Sequence, residues 1–233
     1  NTMNNVLVII PTYNEKNNVV KLIDELLEIK VNVLIVDDNS PDKTYDVVEK
    51  YFGNNGKVNI LIREKKLGLG SAYRDGFKWG LDNGFEYLVE MDADFSHQIS
   101  DLKALLLEKN EKKIILGSRY ISQGKVLGWS KRRSLLSKYA NKFSSFVTKS
   151  KINDMTSGFR IYSKYALEKI DYQNTVNNGY AFQIEMTVQA IKNNIEITEV
   201  PITFVERESG KSKMNYRIII EALKYLFSYR FKK

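Results

Sequence analysis

The chain has 233 residues, a formal net charge of +8 and no cysteine. Its hydrophobic residues (43%) are enough for a folded core and its charged residues (27%) are ordinary in number, which excludes a disordered chain. The lack of cysteine excludes a disulfide framework and a thiolate metal site. The basic surplus leaves two readings open: a lysine-rich surface with no dedicated partner, or attraction to anions such as nucleic acid, phosphorylated substrates or an acidic membrane.

Membrane insertion by a spanning helix is not expected from the sequence. No stretch reaches the ~18 consecutive apolar residues that such a helix needs. The nearest candidate, residues 218–229, is interrupted by Glu221 and Lys224. We therefore expect a chain that does not span the bilayer by itself, and a position on a membrane surface stays open.

Apolar runs alternate with helical patterns in the first half of the chain. The runs are apolar throughout, which is typical of strands buried on both faces of a parallel sheet. The sequence therefore predicts an α/β fold, with a mainly parallel sheet and helices on both faces. The predicted strands are residues 6–10, 33–36, 58–62, 87–91 and 114–116, and the predicted helices are residues 19–27, 45–52, 73–81 and a segment that Ser100 caps and that ends at residue 108.

The second half of the chain is less regular. It predicts a long basic helix, a short strand, a second helix, a strand-like segment and a final amphipathic basic helix. In chain order these are residues 129–149, 159–162, 180–192, 197–205 and 216–231.

Polar side chains follow four of the five strands predicted in the first half. Ligands of open parallel sheets bind at the carboxyl ends of the strands, so we expect these side chains to form one site. They belong to residues 11–15, 37–40, 92–94 and 117–119.

The acidic triplet at residues 92–94 is the candidate metal site. Side chains alternate along a strand, so Asp92 and Asp94 are expected to point the same way. Two close carboxylates repel unless a cation lies between them, and Mg²⁺ binds through one or two carboxylates plus substrate phosphates. A chance pair of acids would give the same sequence, but the position after a buried strand favours a metal. His97 is expected on the surface or in support of the site, rather than as a ligand.

Carboxylates also follow the first two strands. Asp38 can accept hydrogen bonds from ribose hydroxyls or a base edge, and the alternative is capping of the next helix, for which Ser40 is better placed. Glu15 can do similar work, and Tyr13 can stack on a base.

Basic side chains form three groups. Arg119 follows the fifth strand and is expected near the acidic triplet. Arg133 lies in a basic run at 131–133 that opens the long helix, with Ser137 one turn beyond it on the same face. Residues 207–213 form a polar, glycine-containing loop that can fold over phosphates. The alternative for each group is a solvated surface, which we favour for the first two residues of the basic run.

Together these motifs resemble family 2 glycosyltransferases, and within them the branch that makes dolichol-phosphate mannose. The motifs of the first half mark the wider family, and those of the second half mark the branch. They are PTYNE at 11–15, VDDNSPD at 36–42, DAD at 92–94, GSRY at 117–120, residues 133–141, SGFR at 157–160, GYAFQIEM at 179–186 and FVER at 204–207.

The resemblance implies a GT-A fold and inverting transfer of mannose from GDP-mannose to a dolichyl or polyprenyl phosphate. It implies one catalytic domain over residues 1–233, with a nucleotide-sugar half to about residue 120 and an acceptor half beyond it. It further implies a divalent cation (Mg²⁺ or Mn²⁺), the cytoplasmic face of a membrane (the endoplasmic reticulum in a eukaryote) and no nucleic-acid partner. In some such systems a small membrane subunit tethers the enzyme.

The resemblance also assigns roles to individual residues. Asp92, Asp94 and Arg119 are the catalytic candidates, with both aspartates on the metal. Ser96 stands where some relatives carry a metal-binding glutamine, which leaves the third ligand open. The guanosine pocket would be lined by Pro11, Tyr13, Glu15, Val36 and Asp38; the diphosphate and metal would be contacted by Asp92, Ala93 and Asp94; phosphates would be contacted by Arg119, Arg207 and Lys213; and the acceptor phosphate would be held by Arg119, Arg133 and Ser137.

Two rival functions remain at this point. One is transfer of glucose from UDP-glucose to the same kind of lipid phosphate, because the first-half motifs are common to the wider family. The other is a non-catalytic module that binds anions or a membrane, or senses a nucleotide sugar. A purely electrostatic module does not need carboxylates at several strand ends.

Overall fold

A computed structural model describes residues 3–206, 222, 224–226 and 228. Strands and helices alternate along most of this part of the chain. The strands are β1 (Val6–Thr12), β2 (Asn32–Asp37), β3 (Val58–Ile62), β4 (Tyr87–Glu90), β5 (Lys113–Ser118), β6 (Lys125–Leu127), β7 (Arg160–Ser163), β8 (Glu196–Pro201) and β9 (Thr203–Val205). The helices are α1 (Val19–Glu28), α2 (Thr44–Phe52), α3 (Leu69–Asp82), α4 (Ile99–Leu107), α5 (Lys131–Thr148), α6 (Lys164–Lys169) and α7 (Gly179–Lys192).

Seven strands form one sheet in the order β3-β2-β1-β4-β7-β5-β8. All neighbouring pairs are parallel except the two that involve β7, which runs antiparallel to β4 and β5. The prediction of a mainly parallel sheet is confirmed. The strand predicted at 159–162 turns out to be the central antiparallel one, so strands from both halves of the chain share this sheet.

Helices cover both faces of the sheet, and the alternation of side chains along β1 shows why. Val8 and its neighbours two residues away pack with α1, α2 and α4. Leu7 and Ile9 pack on the opposite side with α3, α6 and α7. Because both faces are covered, β1 and β2 are apolar almost throughout.

The helix α3 lies unusually close to the sheet, and glycine makes this approach possible. A Cβ atom built on Gly76 would lie 2.5 Å from Cγ2 of Ile9, and one on Gly80 would lie 2.5 Å from Cδ2 of Leu88. These glycines are one helical turn apart and face β1 and β4.

Several predicted boundaries are wrong. Ser100 was predicted to cap the fourth helix, but that helix starts at Ile99 and Gln98 holds its N-cap position. The segment predicted as one strand at 197–205 is two strands, because Ile202 leaves β8 and the chain continues as β9 in a two-stranded sheet with β6. The long basic helix is shorter at each end than predicted, and Ser130 caps it by accepting a hydrogen bond from the backbone N–H of Arg133. Most of the helix predicted at 216–231 lies outside the described residues.

We predict that Gly76→Val lowers the free energy of unfolding by about 1–3 kcal/mol, because the new side chain must displace Ile9 in a packed core. Urea denaturation of the purified protein measures the change. Gly56→Val is the matched control, because a Cβ there meets nothing within 4 Å. Equal stability of the two variants would contradict the close approach of α3 to the sheet.

Candidate active site

The polar carboxyl ends of β1, β2 and β4 each continue into a residue with left-handed backbone. These residues are Asn14 (φ 60°), Asn39 (φ 53°) and Phe95 (φ 59°). Asparagine tolerates this conformation, whereas a phenylalanine there is strained. Strained turns of this kind cluster at functional sites, and all three lie at the edge where the sequence predicts the site.

The two aspartates at the end of β2 have different contacts and different roles. Asp37 is fully buried and accepts hydrogen bonds from the Thr12 hydroxyl (2.7 Å) and from the backbone N–H (2.8 Å) and hydroxyl (2.7 Å) of Ser40. It therefore holds the turn. Asp38 forms an ion pair with Arg63, with 2.5 Å between Nη2 and Oδ1. Burial raises the pKa of Asp38, and the charge of Arg63 opposes that rise.

The acidic triplet lies in a bend, because β4 already ends at Glu90. The prediction that strand alternation aligns Asp92 and Asp94 is therefore wrong, because neither residue lies in a strand. Both carboxylates nevertheless line one cavity. Oδ1 of Asp94 accepts hydrogen bonds from the backbone N–H (3.1 Å) and the hydroxyl (2.6 Å) of Ser96, which holds the turn closed.

His97 packs behind this bend and is bonded to its backbone. Its ring stacks on Phe159 with 4.4 Å between ring centroids, and its Nδ1 accepts a hydrogen bond from the backbone N–H of Asp92 (3.2 Å). Burial lowers the pKa of His97 to about 4, so the imidazole is neutral at pH 7. Of the two sequence expectations, a surface position is wrong because the residue is buried, and a supporting position fits these contacts.

A buried ion pair fixes Arg119 at the end of β5. Its Nε (2.7 Å) and Nη2 (2.7 Å) donate to the two carboxylate oxygens of Asp154, and its backbone N–H donates to the same side chain (2.9 Å). Burial favours the neutral form of Asp154, but the charge and hydrogen bonds of Arg119 outweigh it and hold the pKa of Asp154 below its usual value. Nη2 of Arg119 also donates to the hydroxyl of Thr156 (2.8 Å).

Aromatic rings surround the arginines. The guanidinium carbon of Arg133 lies 4.0 Å from the ring centre of Trp129, and that of Arg119 lies 5.5 Å from the same ring. Arg119 also lies 5.6 Å from the ring centre of Phe204. Arg133 forms an ion pair with Glu206. Contacts of this type favour a cation over an aromatic face and fix both guanidinium groups.

A cavity of about 370 Å³ joins these groups. That volume suits a small ligand or part of a larger one. Three buried polar atoms of its lining residues have no hydrogen-bond partner among the described residues: Nε1 of Trp129, Nε of Arg133 and Oε1 of Gln183. Its lining consists of Pro11, Glu15, Lys66, Gly68, Leu69, Asp92, Ala93, Asp94, Ser96, His97, Arg119, Trp129, Arg133, Thr156, Ser157, Gly158, Gly179, Tyr180, Gln183, Phe204 and Glu206.

Within the described residues, acidic side chains outnumber basic ones around this cavity. The basic side chains are Lys66, Arg119 and Arg133, and the acidic ones are Glu15, Asp92, Asp94 and Glu206. Asp154 behind the wall offsets the charge of Arg119 as well. The described part of the cavity wall therefore carries no share of the overall surplus of +8. A ligand with several phosphate charges needs further positive charge to enter.

The structure brings together part of the site predicted from sequence. The residues found on the cavity wall are Pro11, Glu15, Asp92, Ala93, Asp94, Ser96, Arg119 and Arg133. Other predicted residues lie elsewhere: Tyr13 has Nζ of Lys66 at 3.7 Å from its ring centre, Val36 is fully buried in β2, Asp38 is paired with Arg63, and Ser137 accepts a hydrogen bond from the Tyr120 hydroxyl (2.6 Å). Arg207 and Lys213 lie outside the described residues.

Sequence reasoning missed five residues that shape the site: Arg63, Trp129, Asp154, Gln183 and Glu206. The Arg63–Asp38 and Arg119–Asp154 pairs join positions 25 and 35 residues apart, so spacing gives no signal for them. The motifs around Gln183 and Glu206 were noticed only for their resemblance to a family.

A divalent cation fits the residues present. No cluster of three histidine, cysteine or acidic side chains able to hold a metal occurs in the part of the chain that the structure describes. Asp92 and Asp94 would therefore supply two carboxylates, with the Ser96 hydroxyl beside them, and the remaining ligands would come from substrate phosphates and water. This is the usual arrangement for Mg²⁺ at phosphate-binding sites.

The fold and the wall of carboxylates and arginines at its strand ends define the class of protein. Residues 7–171 match the glycosyl transferase family 2 model, and the chain belongs to that family. It is a glycosyltransferase with a GT-A fold, as the sequence predicted.

Curated relatives in this family match nearly the whole chain. A polyprenol monophosphomannose synthase from Mycolicibacterium smegmatis is 44% identical over 221 residues, which cover 93% of this chain and 83% of that protein. An undecaprenyl-phosphate mannosyltransferase from Micrococcus luteus is 40% identical over 220 residues, which cover 94% of this chain and 90% of that protein.

Solved structures share the fold at low sequence identity. Glucosyl-3-phosphoglycerate synthase from Mycobacterium tuberculosis, in complex with Mn²⁺, UDP-glucose and phosphoglyceric acid, aligns with a TM-score of 0.69 and 15% identity over 96% of this chain and 78% of that one. A mannosyltransferase from Pyrobaculum calidifontis, in complex with GDP-mannose and Mn²⁺, aligns with a TM-score of 0.64 and 16% identity over 99% of this chain and 65% of that one.

We predict that Asp154→Asn destabilises the protein by about 3–5 kcal/mol, because it leaves the buried charge of Arg119 without its counter-ion. Chemical denaturation at neutral pH measures the loss. Asp82→Asn removes the carboxylate of an exposed pair with Lys78 and should change the stability by no more than about 1 kcal/mol. Similar losses in the two variants would contradict a buried, uncompensated guanidinium.

Proposed function

We propose that this enzyme transfers mannose from GDP-mannose to a polyprenyl phosphate, with inversion at the anomeric carbon. The proposal rests on one observation above all: two carboxylates and two fixed arginines line a single cavity at the carboxyl ends of the strands. The identity of 40–44% to mannosyltransferases of polyprenyl phosphates supports the choice of sugar and acceptor.

The proposed reaction needs no general base. The second pKa of a phosphate monoester is about 6, so the acceptor is largely dianionic at neutral pH and is already a nucleophile. Its oxygen forms a bond to the anomeric carbon while the bond from that carbon to the β-phosphate oxygen breaks, and GDP leaves with the electron pair. No proton needs to move. The task of the protein is to hold the two anions in line and to compensate their charge.

The residues divide between the two anions. Asp92 and Asp94 lie at the donor side, where a divalent cation would neutralise the departing diphosphate. Arg119 and Arg133 present fixed guanidinium groups from β5 and α5 to the acceptor phosphate. We also assign Arg207 and Lys213 to the phosphates and Tyr13, Val36 and Asp38 to the guanosine pocket, with Pro11 and Glu15 at its border with the cavity.

Ser137 has a less direct role in this scheme than the sequence predicts. Its hydroxyl accepts from Tyr120, whose ring lies beside Arg119 with 5.2 Å between the guanidinium carbon and the ring centre. Ser137 therefore supports the acceptor site through Tyr120. We further propose that the divalent cation is Mg²⁺ or Mn²⁺ and that the enzyme works at the cytoplasmic face of a membrane. A small subunit that tethers it to the membrane stays a prediction from the resemblance.

Turnover with GDP-mannose and with UDP-glucose, measured in parallel, tests the function. Each assay contains a short-chain, water-soluble polyprenyl phosphate and either Mg²⁺ or Mn²⁺. We expect a lipid-phosphate mannose product from GDP-mannose. Product from UDP-glucose instead would establish the glucosyltransferase, and nucleotide-sugar binding without turnover would establish a binding module.

We predict that Asp94→Ala lowers the turnover rate at least about 100-fold and leaves the fold intact. The reason is that the variant loses a ligand to the cation that neutralises the charge of the leaving diphosphate. Initial rates with and without excess chelator, together with circular dichroism, measure both effects. Asp24→Ala changes an exposed aspartate of α1 and serves as the control. Full activity of the parent enzyme in excess chelator would refute the metal assignment.

We predict that Arg133→Ala raises the KM for the lipid phosphate by about tenfold or more and leaves the affinity for GDP unchanged, because a charge-assisted contact to the acceptor is lost. Steady-state kinetics and calorimetric titration with GDP measure the two quantities. Arg132→Ala removes the neighbouring, exposed arginine and should affect neither. Equal losses in acceptor use and GDP binding would show that Arg133 does not act on the acceptor.

A further inference from the structure

The side-chain amide of Gln183 lies on the cavity wall with one end bonded and the other end unbonded. Gln183 belongs to the second turn of α7 and is 2% exposed. Its Nε2 donates to Oε2 of Glu90 at 2.8 Å. Its Oε1 is buried and has no hydrogen-bond partner among the described residues. Because Glu90 takes the donor end of the amide, the end that is left over is an acceptor.

Buried contacts hold this part of α7 in place. Glu90, which bonds the amide, is fully buried at the end of β4. The backbone carbonyl of Gln183 accepts a hydrogen bond from the hydroxyl of Thr187 (2.8 Å), and that hydroxyl accepts one from Nη1 of the fully buried Arg160 (2.8 Å). The position of Oε1 is therefore set before any ligand arrives, which is the condition for selective binding.

The amide lies beside both groups of residues that the proposed reaction uses. On one side, Glu90 directly precedes the bend that carries Asp92. On the other side, a Cβ atom built on Gly158 would lie 3.5 Å from Nε2 of Gln183. Gly158 lines the cavity two residues after Thr156, whose hydroxyl accepts a hydrogen bond from Arg119. A sugar that passes from the donor side to the acceptor side therefore passes this amide.

An unbonded acceptor selects a ligand that donates a hydrogen bond. The oxygens of the donor diphosphate and of a dianionic phosphate monoester carry no proton, so neither can satisfy Oε1 of Gln183. The hydroxyl groups and the base are the donating parts of a nucleotide sugar. We assigned the base to the pocket at Tyr13 and Asp38, and neither residue belongs to the described cavity wall. The hydroxyl groups of the sugar fit the acceptor best.

We propose that Oε1 of Gln183 accepts a hydrogen bond from a hydroxyl group of the transferred sugar and that this contact selects the donor. The inference rests on the proposed function, because it takes a nucleotide sugar as the ligand. A donor that lacks this hydroxyl leaves the buried acceptor unpaired, and sites built in this way discriminate strongly against such analogues. Gln183 thus recognises the sugar, whereas Asp92 and Asp94 serve the diphosphate.

Calorimetric titration of the full chain with donor analogues tests the contact without turnover. The ligands are GDP, GDP-mannose and four analogues of GDP-mannose whose sugar lacks the 2-, 3-, 4- or 6-hydroxyl, with Mg²⁺ present and no acceptor. At least one deoxy analogue should bind the parent protein about fivefold or more weakly than GDP-mannose does. Equal affinities for GDP-mannose and all four analogues would overturn the proposal, and this arm needs no variant that has to fold.

The variant Gln183→Met removes the amide and keeps a side chain of similar length. It should bind GDP-mannose about fivefold or more weakly than the parent, bind GDP with unchanged affinity, and no longer distinguish GDP-mannose from the deoxy analogue that the parent rejects. Gln189→Met changes a glutamine of the same helix that is not on the described cavity wall, and it should bind every ligand as the parent does. Circular dichroism and the affinity for GDP show that the fold and the nucleotide site are intact.

The outcomes separate this inference from the proposed function. A folded Gln183→Met variant that keeps the full penalty for every missing hydroxyl would overturn the inference and leave the proposed function intact, with the amide as a purely structural partner of Glu90. Tighter binding of UDP-glucose than of GDP-mannose by the parent would instead refute the proposed donor. The same titrations with deoxy analogues of UDP-glucose would then decide whether Gln183 contacts the sugar.

Discussion

The ion pair between Arg119 and Asp154 joins the two halves of the site. Residue 154 lies in the loop before β7, and β7 runs antiparallel beside β5, so this loop crosses the carboxyl end of β5. A guanidinium group that is 5% exposed remains charged there because a carboxylate holds it through two bonds of 2.7 Å. The same arginine then positions Thr156, Trp129 and Phe204 around the cavity.

The fixed position of the Arg119 guanidinium limits how this charge can respond to a bound phosphate. Arg119 cannot swing towards an arriving phosphate without leaving Asp154 unpaired, so its charge is preorganised and little reorganisation accompanies the reaction. Asp154 partly neutralises the charge of Arg119, which weakens the attraction between Arg119 and a bound anion. Together with four carboxylates on the cavity wall, this makes the described part of the site poor in positive charge. In the proposed reaction, phosphorylated substrates would therefore need further positive charge, such as a divalent cation held by Asp92 and Asp94.

The sequence predicted the edge of the sheet correctly because the rule behind it is topological. Apolar runs that alternate with helices give parallel strands, and parallel strands bring Pro11, Asp92 and Arg119 to one edge. Asp154 could not be predicted in this way, because nothing in its local sequence shows that β7 enters the sheet between β4 and β5. The acidic triplet shows a different limit: its two carboxylates share a cavity through a bend with a strained Phe95, and not through the strand alternation that was assumed.

Helix α5 shows why composition did not predict orientation. A pattern rule places leucine and aromatic residues inside and serine and asparagine outside, and α5 does the reverse. The inversion is stable because Ser137 and Asn141 find partners at Tyr120 and Thr156, which belong to the same network as Arg119. The contacts that hold Arg119 in place thus also fix which side of α5 faces outward.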